Sequence, residues 1–379
     1  MKIREALLYY GLRLMKYWDP REPNLAELGT EAIANILVVS CTALGDTLLS
    51  TPAISNLRAR YPKAKITVLI NRAYLELFSG HADVSDWIPY DGGYHHFFSS
   101  ITRLRRAHFD LAVILHGNEP QATPLSYLSG ARFIFKLPNI SRFSFLLTNR
   151  EPVRNWSDFP HGIDQRLAVA ELAGAPAVTR RMTLPRNQHA EDQLAAWLHQ
   201  QGVRENERLV ALQPGASSTS RRWQAVRFRE FVARELDANP DVRVVVIGSQ
   251  AEYRLAQRIT EGVDSRRVLV TSGVIPLWWL PPLLKRCKML ISGDTGTMHL
   301  AITVGTPVLA LFAVSDHRRS GPNYDLDKHQ VIQKWRTCDP CLSKRCPFPE
   351  PICMENIKVD EVLAVTKEML ARQLTVPAH

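Results

Sequence analysis

The stretch Ile291–Phe312 (ISGDTGTMHLAITVGTPVLALF) constrains this chain more than any other. Its pattern predicts a buried strand over 288–292, a glycine-bracketed loop, a short helix over 298–304 and a second buried strand over 308–312. Short apolar runs bounded by Gly and Pro suit strands covered on both faces of a parallel sheet. Gly293 and Gly296 are expected to give the loop backbone angles closed to bulkier residues, and Gly305 to end the helix. A βαβ unit presents such a loop at the carboxyl ends of its strands, where ligands bind. Free N–H groups at the helix start suit an anion such as phosphate, with Thr295 and Thr297 adding hydroxyls. The alternative is a linking turn in which Asp294 caps the helix.

With 379 residues the chain exceeds one ordinary core, and Leu184-Pro185 reads as a domain boundary. No run of about 20 apolar residues is present, so no transmembrane helix is expected. The N-terminus lacks the compact apolar stretch and cleavage site of a secretory signal, which places the protein in the cytoplasm. The net charge of +10 points to acidic partners. Without a basic run interleaved with aromatics, phosphorylated substrates or anionic lipid fit better than nucleic acid.

Residues 1–18 form a helical pattern ended by Asp19-Pro20. Ile3, Leu7, Leu8, Tyr10, Leu14, Met15, Tyr17 and Trp18 share one broad face, with Arg4 inside that arc and Lys2, Glu5, Arg13 and Lys16 opposite. Such a helix suits either the cytoplasmic face of a membrane or packing on the chain's own domain. A buried strand follows over 35–40, then Cys41-Thr-Ala-Leu-Gly-Asp46 and a helix to about Arg60. Gly45 is expected to permit the turn. Asp46 is expected either to cap the helix or to face a cleft as a base. This β-loop-α-β pattern is Rossmann-like but lacks the glycine fingerprint of dinucleotide folds. Further strands are expected over 65–70, 86–89, 111–115 and 133–137, and His161 reads as a cap of the helix 162–173.

The second half repeats the logic. A strand over 209–212 leads into Gln213-Pro-Gly-Ala-Ser-Ser-Thr-Ser-Arg-Arg-Trp223, where Gly215, Ser217, Ser218, Arg221 and Arg222 make a second phosphate-type loop. After the strand 242–247, Glu252 suits either ribose hydroxyls or the positive end of a helix. Leu277–Leu284 reads as a helix disturbed by Pro281-Pro282. Cys338, Cys341, Cys346 and Cys353, spaced x2, x4 and x6, are open to zinc, to a disulfide or to plain packing, and the spacing is not that of a zinc ribbon.

Taken in order, Leu-Gly-Asp46…Thr51-Pro-Ala-Ile, Gln213-Pro-Gly-Ala…Arg222-Trp223, Gly248…Glu252, Asp294-Thr-Gly…Met-His-Leu-Ala…Gly-Thr-Pro and Cys338-Asp-Pro-Cys…Cys346-Pro…Cys353-Met resemble glycosyltransferase family 9, the ADP-heptose:lipopolysaccharide heptosyltransferases, over about residues 35–358. The resemblance implies an α/β chain of GT-B type, two Rossmann-like domains facing each other across a cleft. It divides the chain into an amphipathic extension (1–34), an acceptor domain (35–185), a nucleotide-sugar domain (186–357) and a C-terminal helix and tail (358–379). It implies inverting transfer of heptose from ADP-heptose, without a metal or other cofactor, to a hydroxyl of a phosphorylated, lipid-linked saccharide of the lipopolysaccharide inner core. By the same resemblance Asp46 is catalytic, Thr42 and Gly45 lie on the acceptor side, and Ser217, Ser218, Arg222, Glu252, Asp294, Thr295, Gly296, Thr297 and His299 bind the donor. Arg222 stands where the family usually has Lys. Two rival readings are a GT-B transferase using another nucleotide sugar for a cell-surface glycan and a non-catalytic nucleotide-sugar-binding assembly protein.

Overall fold

The computed structural model describes residues 3–21, 23–29, 32–93, 96–118, 121–138, 141–338, 346–348 and 351–374. The chain divides into two compact units, Met1–Pro185 and Arg186–His379.

The first unit carries strands β1 (Asn35–Ser40), β2 (Lys65–Asn71), β3 (Asp86–Tyr90), β4 (Leu111–His116) and β5 (Phe133–Lys136). All pair in parallel, in the order β3-β2-β1-β4-β5. Its helices are α1 (Ile3–Tyr17), α2 (Leu44–Arg60), α3 (Leu75–Phe78), α4 (Phe97–Arg106), α5 (Ala122–Leu128) and α6 (Gly162–Leu172). Strand order reverses between β1 and β4, so the loops after these two strands diverge and leave a crevice at their carboxyl ends. A register shift at Val39/Ser40 leaves Leu115 as an extra residue on β4. Such a bulge re-aims the side chains beyond it.

Helix α2 contains Pro52, which deprives the Leu48 carbonyl of its usual N–H partner. The Thr51 hydroxyl supplies the missing donor at 2.8 Å, so the Thr-Pro pair sits inside a continuous helix. Gly45 lies within the first turn of α2 and not in the turn before it, so the chain enters the helix without a left-handed residue there. His161 caps α6 as expected, its Nδ1 accepting from the Ile163 N–H at 3.1 Å.

Helix α1 packs on the first unit with only part of its apolar surface. Leu12 is buried in the first unit's core, with Leu8 and Tyr9 packed beside it. The rest of the broad apolar arc, Ile3, Leu7, Tyr10, Leu14, Met15, Tyr17 and Trp18, is solvent-exposed.

The second unit carries β6 (Arg208–Gln213), β7 (Val242–Val246), β8 (Val268–Val270), β9 (Met289–Gly293), β10 (Val308–Phe312) and β11 (Gln330–Gln333), all parallel, in the order β11-β10-β9-β6-β7-β8. Around them run α7 (Gln188–Gln200), α8 (Ala225–Ala238), α9 (Tyr253–Thr260), α10 (Leu280–Arg286), α11 (Gly296–Thr303), α12 (His317–Ser320), α13 (Ile352–Glu355) and α14 (Val359–Leu374). Here the order reverses between β6 and β9. Pro281 and Pro282 do not disturb a helix: they stand in the first turn of α10, where a missing N–H breaks no bond. Helix α14 belongs to this core through Val359, Val362, Met369 and Leu370.

Cys41 and Cys287 are buried, as expected of core thiols. Among the described residues Cys338, Cys346 and Cys353 form no disulfide and no group of metal-ligating side chains is present; Cys341 lies outside the described residues.

Candidate active site

In the first unit the crevice between β1 and β4 gathers four side chains. Asp46 stands in the first turn of α2, half-exposed. The cap position belongs to Ala43, which has no side-chain cap to offer. Side chains hold the Asp46 carboxylate. Arg166 Nη2 donates to Oδ1 at 2.8 Å, Thr42 Oγ1 donates to Oδ2 at 3.1 Å, and His116 Nε2 lies 3.4 Å from Oδ1. His116 Nδ1 in turn lies 2.6 Å from Thr42 Oγ1. The β4 bulge sits one residue before His116 and aims its ring at this carboxylate.

Arg166 is fully buried on α6. Its other donors reach Gly162 O at 2.7 Å and Ser50 Oγ at 3.2 Å. Ser50 Oγ donates to Asp46 O at 2.8 Å and accepts from Ser40 Oγ at 3.0 Å. Burial pulls the Arg166 pKa down and Asp46 pulls it back up. A buried guanidinium of this kind persists only beside a compensating anion, which Asp46 provides. Burial likewise pushes His116 below its ordinary 6.5, against the pull of Asp46, so the ring is neutral at pH 7. A neutral imidazole and a hydroxyl carry one hydrogen-bonding proton each. Thr42, His116 and Asp46 thus form a triangle of polar contacts.

In the second unit the loops after β6 and β9 flank the other reversal of strand order. They touch where an added Cβ on Gly293 would meet the Arg221 carbonyl at 2.6 Å. Gly293 and Gly296 have no left-handed φ. The glycine at 293 is required for space, which corrects the expected reason for it. Arg221 Nη1 pairs with Asp294 Oδ2 at 3.2 Å, and Ser315 Oγ donates to the same oxygen at 2.9 Å. Asp294 is thus a nearly buried clasp between loops and does not cap α11. Thr295 does, accepting from the Met298 N–H at 3.2 Å. Thr297 Oγ1 donates to Gln213 Oε1 at 3.1 Å, tying the helix start to the end of β6. The Gly296 and Thr297 N–H groups open α11 and have no intrahelical acceptor. His299 is buried within this helix.

Of the remaining expected donor residues, Ser217 is exposed, and Ser218 pairs with Ser220. Arg222 folds onto the Ala216 carbonyl through Nε at 3.1 Å and Nη2 at 2.8 Å. Trp223 anchors the loop, donating from Nε1 to Ile357 O at 3.0 Å while its ring packs on Phe228. Glu252 accepts from Ser249 N at 2.7 Å and Ser249 Oγ at 2.9 Å. Its Oε1 stands 1.5 Å from where a Cβ on Gly215 would lie, so this loop closes over the carboxylate only because residue 215 is glycine.

The sequence reading missed His116, Arg166 and Ser50 in the first unit, and Arg221 as the partner of Asp294 in the second. The signal for His116 is its place at the end of an apolar run, four residues before Pro120. Arg166 leaves none, because a cation inside an amphipathic helix reads as solvated.

Comparison with known proteins gives these sites a context. The model of glycosyltransferase family 9 (heptosyltransferase) matches residues 97–351, which include His116, Arg166 and both loops of the second unit; Asp46 precedes that span. The lipopolysaccharide core heptosyltransferase OpsX of Haemophilus influenzae is 25% identical over 307 residues, 79% of this chain and 85% of that protein. Lipopolysaccharide heptosyltransferase 2 of Escherichia coli K12 is 23% identical over 293 residues, 74% of this chain and 83% of its own length. Among solved structures, a family 9 glycosyltransferase from Veillonella parvula superposes with a TM-score of 0.75 at 20% identity, covering 90% of this chain and 99% of that one. The ADP-heptose lps heptosyltransferase II of E. coli does so with a TM-score of 0.74 at 20% identity, covering 90% and 100%. The two parallel-sheet units are those of GT-B heptosyltransferases, and the chain belongs to glycosyltransferase family 9.

Proposed function

We propose that the protein transfers heptose from ADP-heptose, with inversion and without a metal, to a hydroxyl of the phosphorylated, lipid-linked lipopolysaccharide inner core. The observation that carries this reading is the Asp46 carboxylate, held at the strand reversal of the first unit by a buried cation. In such a transfer the acceptor hydroxyl gives its proton to a base as its oxygen bonds to the sugar's anomeric carbon, and the bond from that carbon to the diphosphate breaks. Asp46 is the base, and Arg166, Thr42 and His116 orient it. Gly45, buried beside Asp46 in the first turn of α2, lies on the acceptor side.

The departing ADP carries growing negative charge. Preorganised N–H groups and cations stabilise such charge. The α11 start at Gly296 and Thr297, the hydroxyls of Ser217 and Ser218 and the Arg222 guanidinium serve the diphosphate, with Asp294, Thr295 and His299 holding that loop in shape. Glu252, lying against Gly215, serves the nucleoside. A relative's structure, E. coli heptosyltransferase WaaC, was solved with ADP, which supports an adenine nucleotide.

Calorimetric titration with ADP, ADP-heptose and UDP-sugars in EDTA tests the reading. Selective, metal-free binding of ADP species is the expected result. Preference for a UDP-sugar would change the donor, and binding of none of them would move a non-catalytic role to the front.

A further inference from the structure

We propose that the outer face of α1 docks the protein on an anionic lipid bilayer. The inference rests on α1 alone and stands independently of the sugar-transfer reading. The helix is apolar on two sides. Its inner side, Leu8, Tyr9 and Leu12, packs into the first unit's core, so the fold uses it and holds the helix in place. Its outer side presents Ile3, Leu7, Tyr10, Leu14 and Tyr17, with Trp18 just past its end, each at least 63% exposed. The spacing 3, 7, 10, 14 and 17 is one straight stripe along a helix. A stripe so exposed, on a helix already anchored by its other side, is a surface for a partner.

Charge and composition select the partner. At 100° per residue Arg4 and Arg13 flank the stripe on opposite sides, and both are exposed. Arg13 is pinned over the Tyr9 and Phe145 rings at 5.6 and 5.2 Å. Glu5, the acidic residue of α1, lies away from the stripe and faces Arg142 at 3.7 Å. An apolar stripe with Tyr and Trp, edged by cations, matches acyl chains below and anionic headgroups beside them. A second copy of the chain fits less well. The helix has 15 residues. It is therefore about 22 Å long, and its stripe buries on the order of 300 Å², well under the ~800 Å² per partner of a stable interface.

The test is co-sedimentation of the full chain with vesicles of phosphatidylglycerol and phosphatidylcholine, compared with phosphatidylcholine alone. Wild type is expected to bind the anionic vesicles at least about tenfold more tightly. Leu7→Glu/Leu14→Glu is expected to lose at least about tenfold of that binding with an unchanged thermal midpoint, because the stripe is not packed in the fold. Arg4→Glu is expected to weaken binding to anionic vesicles only. Three results would overturn the proposal: equal binding by the double variant, no binding by wild type, or a wild-type dimer that the double variant splits. ADP titration of the same samples reports on the donor reading separately.

Discussion

Arg166, with no solvent exposure, donates to Asp46 Oδ1 at 2.8 Å across 120 positions of sequence. The pair makes the proposed base part of the fold, because the buried guanidinium needs a compensating anion.

Asp46→Asn is expected to lower turnover by at least ~100-fold, as removal of a general base does. It is also expected to reduce folding stability by about 1–3 kcal/mol, because Arg166 keeps its charge and loses its anion. Donor affinity stays at the wild-type value. Steady-state kinetics, urea unfolding and ADP titration on one preparation separate the effects. Wild-type turnover alongside reduced stability would leave Asp46 a structural partner of Arg166 only.

Arg222→Ala is expected to weaken ADP binding by ~10-fold or more, the worth of a charge-assisted bond to phosphate. Its guanidinium rests on the Ala216 carbonyl and, among the described residues, forms no ion pair, so the melting temperature should hardly move. An unchanged dissociation constant by calorimetry would take Arg222 out of the donor site.

Gly293→Ala and Gly215→Ala differ in what the new methyl strikes. At 293 it meets backbone, the Arg221 carbonyl, and at 215 it meets the movable end of Glu252. The first is expected to cost about 1–3 kcal/mol of stability and to loosen ADP binding, and the second to cost less. Paired thermal melts and ADP titrations check the order, and equal or reversed losses would refute this account of the two loops.

Acid should destabilise the protein through its buried histidines. Burial lowers the pKa of His81, His116 and His329, the last to about 4. His329 Nδ1 accepts from the Val308 N–H at 3.2 Å, a bond that a proton on that nitrogen removes. In the unfolded chain these rings titrate near 6.5, so protons favour the unfolded state. Their contribution is complete above pH 6.5 and is lost as pH falls, for His329 through about pH 4. For His329 the difference amounts to about 3 kcal/mol. His329→Asn keeps an acceptor without the titration, and its urea midpoint should fall less than that of wild type between pH 7 and pH 4.

Much of the donor loop was legible. Strand, loop and helix over 289–303 follow from apolar runs and glycine punctuation, which are local signals. Their reasons were less legible. Gly293 is needed for a carbonyl that arrives from Arg221, and Asp294 answers to Arg221 and Ser315, not to its own helix. The edge strands β8 and β11, three and four residues long, carry too few apolar positions for periodicity to mark them. On α1 the hydrophobic pattern identified a helix and one broad apolar face but left open what covers that face. Apolar spacing marks a face, and only the neighbouring core decides whether that face is covered.

By itself, then, the sequence determined the alternating parallel strands and helices, the motif order of family 9 and the position of Asp46 at a strand-to-helix turn. The strands, the helices and the place of Asp46 depend on residues within one or two turns of each other. Tertiary structure alone decided that β1 lies beside β4 and β6 beside β9, and so which loops flank each strand reversal. It also decided that His116 and Arg166, 74 residues from Thr42 and 120 from Asp46, complete the carboxylate's setting. The physical reason is that strand order and buried ion pairs are settled by packing between distant segments, on which local propensity and periodicity have no purchase.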